Sequence, residues 1–514
     1  MRLNIRGFID EVKSITYRQT ADFGTVLNKR TKPSSVGRTF RLTIFNRTDL
    51  NFLDKYKFNW GVNSMKFLGT LYLGIIVLFY SSEDSLLEQI KANGELLVVT
   101  RYGLTTYYDG PNGKAGLEYE FAKRFAEELG VRLHLDVTNN LTDILSQVTN
   151  HQVHFAAAGL TISKPRQSLV RFGPHYQSVT QQIVYRRGFP KPPSRLADFT
   201  ANHYLNVASG GNQIDILKAL KRDYPQLTWK EQSDAEPSEL LQQVWEKEIQ
   251  YTLVDSNEVA QKRRFQPELQ IALELSEQRH LAWAFPRYGT DNSLYIAAIQ
   301  FFNRLQQSGD LEQLIERYYG HIDDAKDFDY VNIRVFIRRI EERLPKYQES
   351  FEMMAKRYDL DWRLLAAIGY QESKWNPKAV SGTGVRGLMM LTQSTAREMG
   401  VKNRNDAFQS IQGGTKYFFA LKKRIPREIQ EPDKTWFALA AYNVGLGHVR
   451  DARKLTEQLG GNRNRWVDVK KHLPKLTQPR WYKQTRHGYA RGHEPVQFVK
   501  NVRRFYDILV IGEQ

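Results

Sequence analysis

The chain has 514 residues, more than one hydrophobic core usually organises, so at least two globular domains are expected beside any targeting segment. A formal charge of +18, from 74 Lys and Arg against 56 Asp and Glu, fits an anionic partner such as nucleic acid, anionic lipid or a cell-wall polymer. Cysteine is absent, which excludes disulfides, thiolate catalysis and cysteine-type zinc sites.

The first distinct element is an apolar run from Phe67 to Tyr80, preceded by Lys66 and followed by Ser81, Ser82 and acidic residues. It is shorter than the roughly 20 residues a spanning helix wants. Residues 65–82 therefore read as a secretory signal or an uncleaved membrane anchor. Signals begin chains, and this one follows a basic extension, residues 1–64; Met65 is the expected true start, with a basic tail on a single-pass anchor as the competing reading.

Beyond the signal, LLEQIKANGELLVVT predicts a helix, a turn at Gly94 and a strand from Leu96 to Thr100. Phe121, Phe125 and Leu129 fall at helical spacing, Gly130 stops them, and a strand follows from Val131 to Val137. A second unit places Ile144 and Val148 on a helix, a turn at Asn150 and a buried strand from Val153 to Ala158. The alternation continues through YLNVASGG, IDILKALKRDY and LLQQVWEKEIQYTLVDS. An α/β domain over residues 83–325 is the consequence. From Asp327 onward strand signals fade, and residues 326–514 read as a mainly α domain with the seam near Tyr318 to Asn332.

Within that second domain, Leu365, Ile368 and Glu372 stand at i, i+3 and i+7 on a helix opened by Asp361, which sets a carboxylate on the apolar face. Burial raises a carboxyl pKa and suits a general acid. A glutamate paired with a lysine at a helix end fits this stretch equally well. The loop after it, AVSGTGVRGLMMLTQSTA, has glycines at 382, 384 and 387, enough for close backbone approach to a ligand.

Four ordered segments carry a resemblance: Glu372-Ser373 with Asn376-Pro377, then GVRGLMML, then ALAAYNVG, then GYARGHEPVQFVKNV. Together they are similar to the soluble lytic transglycosylase type of lysozyme-like domain. That resemblance implies non-hydrolytic cleavage of the β-1,4 bond between N-acetylmuramic acid and N-acetylglucosamine in peptidoglycan glycan strands, leaving a 1,6-anhydro end, with Glu372 as acid and then base. It also implies glycan contacts at Ser381, Met390, Tyr442, Asn443 and Glu494. Met390 and Phe498 depart from the glutamine and tyrosine common among relatives. Other readings stay open: Ser381 as a turn residue, Met390 as a packing residue, Tyr442 as helix core, Glu494 as a surface ion pair or cap. A water-using muramidase, or a receptor that only binds glycan, are the rival functions.

The first domain, through GELLVVT, GLEYEFAKRFAEELGV, AAAGLTISKPRQSLVRFGPHY and VDSNEVA, resembles the periplasmic solute-binding type. The implied fold is multi-domain: a two-lobed α/β periplasmic solute-binding domain followed by a mainly α lysozyme-like domain. The implied ligand is an amino acid or muropeptide, its carboxylate on Arg166, with Thr161 adding a hydroxyl, Asp255 meeting the amino group and Tyr107 or Tyr108 packing over it. Arg166 as a surface charge and Asp255 as a loop or cap residue are the alternatives. Both resemblances behind an export signal imply a periplasmic enzyme attached to the outer membrane. Basic residues are scattered and no nucleic-acid motif occurs, so nucleic acid is not an expected partner. His448, His472, His487 and His493 lack ligand spacing, so neither a metal nor a cofactor is expected.

Overall fold

The computed structural model describes residues 84–110, 113–189, 193–200, 202–233, 235–289, 291–322 and 330–512, all within one compact unit, Glu83–Gln514. The basic extension and the apolar segment expected at 65–82 lie outside the described residues. Among the described residues no helix is long and apolar enough to cross a membrane.

Helix α1 (Leu86–Asn93) opens on a capping box between Ser85 and Glu88 and closes on Gly94 in the left-handed region, which turns the chain into β1 (Glu95–Thr100). A hairpin, β2 (Tyr108–Gly110) and β3 (Gly113–Ala115), precedes α2 (Leu117–Leu129). Gly116 between them is required: φ is 122°, and a Cβ would lie 2.1 Å from the Thr106 carbonyl oxygen. Next come β4 (Arg132–Val137), α3 (Leu141–Thr149), capped by the Asn140 side chain, and β5 (Phe155–Ala156). The strand expected over Val153–Ala158 shortens to two residues. Its flanking backbone bends instead to give the Ala158 carbonyl to Arg101 Nε (2.9 Å) and the Gly159 N–H to Glu118 (2.7 Å).

After α4 (Lys164–Leu169) and the long β6 (Val170–Arg186), the second lobe is built from β7 (Tyr204–Ala208), α5 (Asn212–Leu220), β8 (Thr228–Gln232), α6 (Pro237–Glu246), β9 (Tyr251–Asp255) and α7 (Ser256–Arg263). The equally long β10 (Leu269–Pro286) returns to the first lobe, which α8 (Ser293–Ser308) and α9 (Asp310–Tyr319) complete. The sheet order is β4-β1-β5-β10-β6-β9-β7-β8. Strand β1 pairs in parallel with β4 and β5, and β7 with β8 and β9, while β6 and β10 run antiparallel between the two sets. Two α/β lobes thus share a pair of crossing strands. The carboxyl ends of their parallel strands are where a ligand crevice is expected in such sheets.

The remainder is helical: α10 (Tyr330–Glu342), α11 (Gln348–Tyr358), α12 (Trp362–Ser373), α13 (Gln393–Met399), α14 (Ala407–Arg424), α15 (Asp433–Val444), α16 (Leu446–Gln458), α17 (Trp466–His472), α18 (Pro479–Tyr482) and α19 (His493–Ile511). The core around α12 holds Leu365, Ile368, Tyr370, Trp375, Phe336 and Phe505.

Helix α19 touches both halves. One face sets Phe505 against Tyr370 and Phe336 and stacks Phe498 on Tyr442. The other carries Arg503 and Asp507 to the α/β half: Arg503 meets Glu316 of α9 at 2.9 Å, and Asp507 meets Arg264 and His321. Further pairs join Asp310 to Arg465 and Glu316 to Lys470, and Gln313 donates to Asp433 at 3.1 Å.

Candidate active site

Asp361 caps α12 by accepting from the Arg363 N–H at 2.9 Å, and the helix delivers Glu372 in its last turn. Two consecutive non-glycine residues in the left-handed region, Lys374 (φ 56°) and Trp375 (φ 53°), then reverse the chain. Such strain persists because the neighbours over-determine it. Trp375 is buried and donates to the Ala366 carbonyl at 2.8 Å, and Ser373 Oγ donates to the Leu388 carbonyl at 2.7 Å. Ser373, quoted in the motif but given no role from sequence, ties the helix end to the glycine loop.

The Glu372 carboxyl has no hydrogen bond or ion pair among the described residues, and burial alone pushes its pKa up to about 8. Part of the residue stays open to solvent, while the atoms packed round the carboxyl strip it of water. The lysine-paired alternative does not hold, since the Lys374 ammonium lies over the Tyr370 ring at 4.7 Å. The site is therefore a solitary carboxyl kept protonated near neutral pH.

Tyr442 on α15 stands beside it: burial raises its hydroxyl well above the ordinary value, and the nearby Glu372 adds to the shift. Its hydroxyl donates to the Met389 carbonyl at 2.9 Å, and the Met389 N–H donates to Ser410 Oγ at 3.0 Å. Gly387 can be nothing larger, because its φ is 91° and a Cβ would lie 1.9 Å from the Arg404 carbonyl oxygen. Met390, half-buried, holds a left-handed φ of 47°. Ser381 Oγ makes no bond to Glu372; it accepts from the Val385 N–H at 3.2 Å and pairs with Thr383, so it shapes its own turn. Asn443 is exposed, and Glu494, also exposed, pairs with Arg491 at 3.2 Å in the first turn of α19. Structure thus gathers Glu372, Tyr442 and the 387–390 backbone, and leaves Ser381 and Glu494 bonded to near neighbours in the chain.

In the α/β half, Asp255 at the end of β9 is buried and accepts from Gln181, from Thr161 Oγ1 at 3.1 Å and from Gln213 at 3.3 Å; burial raises its pKa. The Arg166 guanidinium, also buried, donates to the carbonyls of Thr161 (3.2 Å) and Gly210 (3.0 Å). Burial lowers its pKa to about 10, against Asp255 and Asp215, which favour the cation. Arg166 is no surface charge. Tyr107 and Tyr108 are not in this group: Tyr107 sits against Tyr102 and Tyr119, and Tyr108 is close enough to Asp507 and Tyr318 to feel both.

Four residues not singled out from sequence complete the crevice. Arg101, at the end of β1, pairs with Glu258 of α7 across the lobes, and Thr105 Oγ1 donates to the same carboxylate at 2.7 Å. Glu236, 3% exposed before α6, has one carboxyl oxygen without a partner, and burial, with Glu258 adding and Arg101 opposing, raises it to about 7.

Known proteins agree with both halves. Residues 87–321 match the family model described as bacterial extracellular solute-binding proteins, family 3, and residues 349–464 match the transglycosylase SLT domain. The membrane-bound lytic murein transglycosylase F of Saccharophagus degradans is 45% identical over 450 residues, covering 87% of this chain and 89% of that protein. The protein of the same name from Stutzerimonas stutzeri is 48% identical, covering 85% and 90%. With this identity along nearly the whole of both domains, and a solitary raised carboxyl on the helix that the transglycosylase match contains, the chain belongs to the membrane-bound lytic murein transglycosylase F family.

Proposed function

We propose that the chain cleaves the β-1,4 bond between N-acetylmuramic acid and N-acetylglucosamine of murein without water, Glu372 serving as acid and then as base. The Glu372 proton passes to the glycosidic oxygen as the bond from C1 to that oxygen breaks. The carboxylate left behind takes the proton of the muramoyl 6-hydroxyl, whose oxygen bonds C1. One sugar leaves with a new hydroxyl, the muramoyl end closes as a 1,6-anhydro ring, and Glu372 regains its proton. The solitary Glu372 carboxyl, held protonated near neutral pH, carries this reading. It is an exception to the usual pair of glycosidase carboxylates.

Mass spectrometry of products from purified sacculi tests it. Anhydro ends that vanish in Glu372→Gln are expected; reducing ends would mean hydrolysis, and lysis by the variant would remove Glu372 from the role.

The first half takes an amino acid or muropeptide between its lobes, the carboxylate on Arg166 and the ammonium group on Asp255, with Thr161 beside both. The enzyme works in the periplasm, attached to the outer membrane. Because α19 contacts both halves, closure on a peptide alters turnover; equal rates with and without saturating peptide would oppose this.

A further inference from the structure

Cationic residues are scattered along the chain, but their excess is not. Residues 330–512 hold 35 Lys and Arg against 17 Asp and Glu, which leaves 39 of each in the rest of the chain. The whole net charge of +18 therefore sits on the catalytic half.

Part of it rings a recess of about 510 Å³ where the end of α11 meets the end of α14. Lys356, Arg357, Lys422, Lys423 and Lys434 line it against only Asp359 and Glu431. Glu431 is engaged by Lys422 at 3.0 Å, and Lys356, Lys423 and Lys434 have no carboxylate partner among the described residues. The recess has an aromatic side, with the Tyr358 and Phe419 rings 4.8 Å apart and the Lys423 ammonium 4.4 Å from the Phe419 centroid. Such a recess suits a flexible chain bearing several carboxylates.

We propose that this recess is a second contact site for murein, one that takes the carboxylates of its peptide arms; the inference rests on murein being the substrate. Its place relative to the acid fits. Leu360 lines the recess immediately before the Asp361 cap of α12, and Glu372 lies near the other end of that helix. Eleven residues at helical rise put about 16 Å between the two ends. An extended arm of about five residues reaches up to roughly 17 Å. An arm hung from a sugar in the groove, or from a neighbouring strand, can therefore reach cations well outside the active site. The general cationic field of the catalytic half draws the same anionic polymer in from a distance. A concave, ringed site favours discrete carboxylates over a lipid surface, which a flat face with protruding apolar groups would suit better.

The test is steady-state kinetics of the full chain on purified glycan strands, either carrying their peptide arms or stripped of them by an amidase. Reversing Lys356 and Lys423 together to Glu is expected to raise KM on arm-bearing strands roughly fivefold at low salt, with kcat unchanged. KM on stripped strands stays as it was, and the pair Lys356→Arg with Lys423→Arg restores normal kinetics. An equal rise on both substrates, or none on either, overturns the proposal. So does loss of binding to anionic phospholipid vesicles with murein kinetics untouched, which would assign the recess to a membrane. Turnover of stripped strands by the unaltered enzyme tests the catalytic reading separately.

Discussion

Arg503 of α19 and Glu316 of α9 meet at 2.9 Å with both side chains almost wholly buried, so the halves are joined through a desolvated ion pair. Arg503 also lies 3.9 Å from the Trp436 ring centroid and donates to the Glu316 carbonyl at 2.7 Å. Removing one partner of such a pair leaves an uncompensated charge, which costs more than the pair contributes. Glu316→Ala is expected to lower stability by about 3 kcal/mol, read by urea denaturation. No change in the midpoint would show that water already reaches the pair.

Activity should follow the protonation of Glu372. The acid must carry its proton when the substrate binds, and its pKa is raised to about 8 by burial, so turnover on sacculi is expected to hold through neutral pH and fall above about 8. An alkaline limb starting near pH 5 would contradict the burial. Glu372→Gln is expected to lose about 10²–10⁴ in rate.

Stability should carry the opposite mark of a raised acid. Glu236 has a folded pKa of about 7 against the ordinary 4.5, so the folded state binds the extra proton between those values. Stability from this group is fully present below pH 4.5, declines as pH rises to about 7 and changes no further. Glu236→Gln should flatten that decline and stabilise the protein near neutral pH by on the order of 2–3 kcal/mol. Denaturation curves at pH 5 and pH 8 give the comparison; an unaltered slope would mean that the carboxyl finds a partner in solution.

Ligand capture in the first half should depend on the shape of Arg166 as well as its charge. Arg166→Lys keeps the cation and loses the fork, and Asp255→Asn keeps the shape and loses the anion. Each is expected to weaken binding of short wall peptides by roughly 10- to 100-fold in calorimetry. Peptides bound as tightly as before would place them elsewhere.

Much of this was legible in local patterns and some could not be. Leu365, Ile368 and Glu372 share a helix face, so the period pointed to a buried acid, and the placing of Lys374 over Tyr370 removed the equally open lysine-paired reading. Strands β6 and β10 were poorly marked, because each passes through two lobes and its polar middle, such as HYQSVTQQ, lines crevice and hinge instead of alternating over one core. The Arg101 and Glu258 pair lies 157 residues apart in sequence and exists only once the two lobes are folded against each other. Ser381 makes the bonds of the turn residue that the sequence left open, because the short loop brings the Thr383 and Val385 N–H groups to its hydroxyl.

Several ion pairs cross the joint between the halves, Glu316 with Arg503 and Lys470, Asp507 with Arg264 and Asp310 with Arg465. When an apolar seam opens it exposes sticky surface, but a seam of this kind opens onto groups that water solvates at once. Separation then exposes mainly charge, and dissolved salt weakens the more open Asp310–Arg465 pair more than the buried Arg503–Glu316 pair. Chemically, the joint is a charged fastening between two distinct apolar clusters.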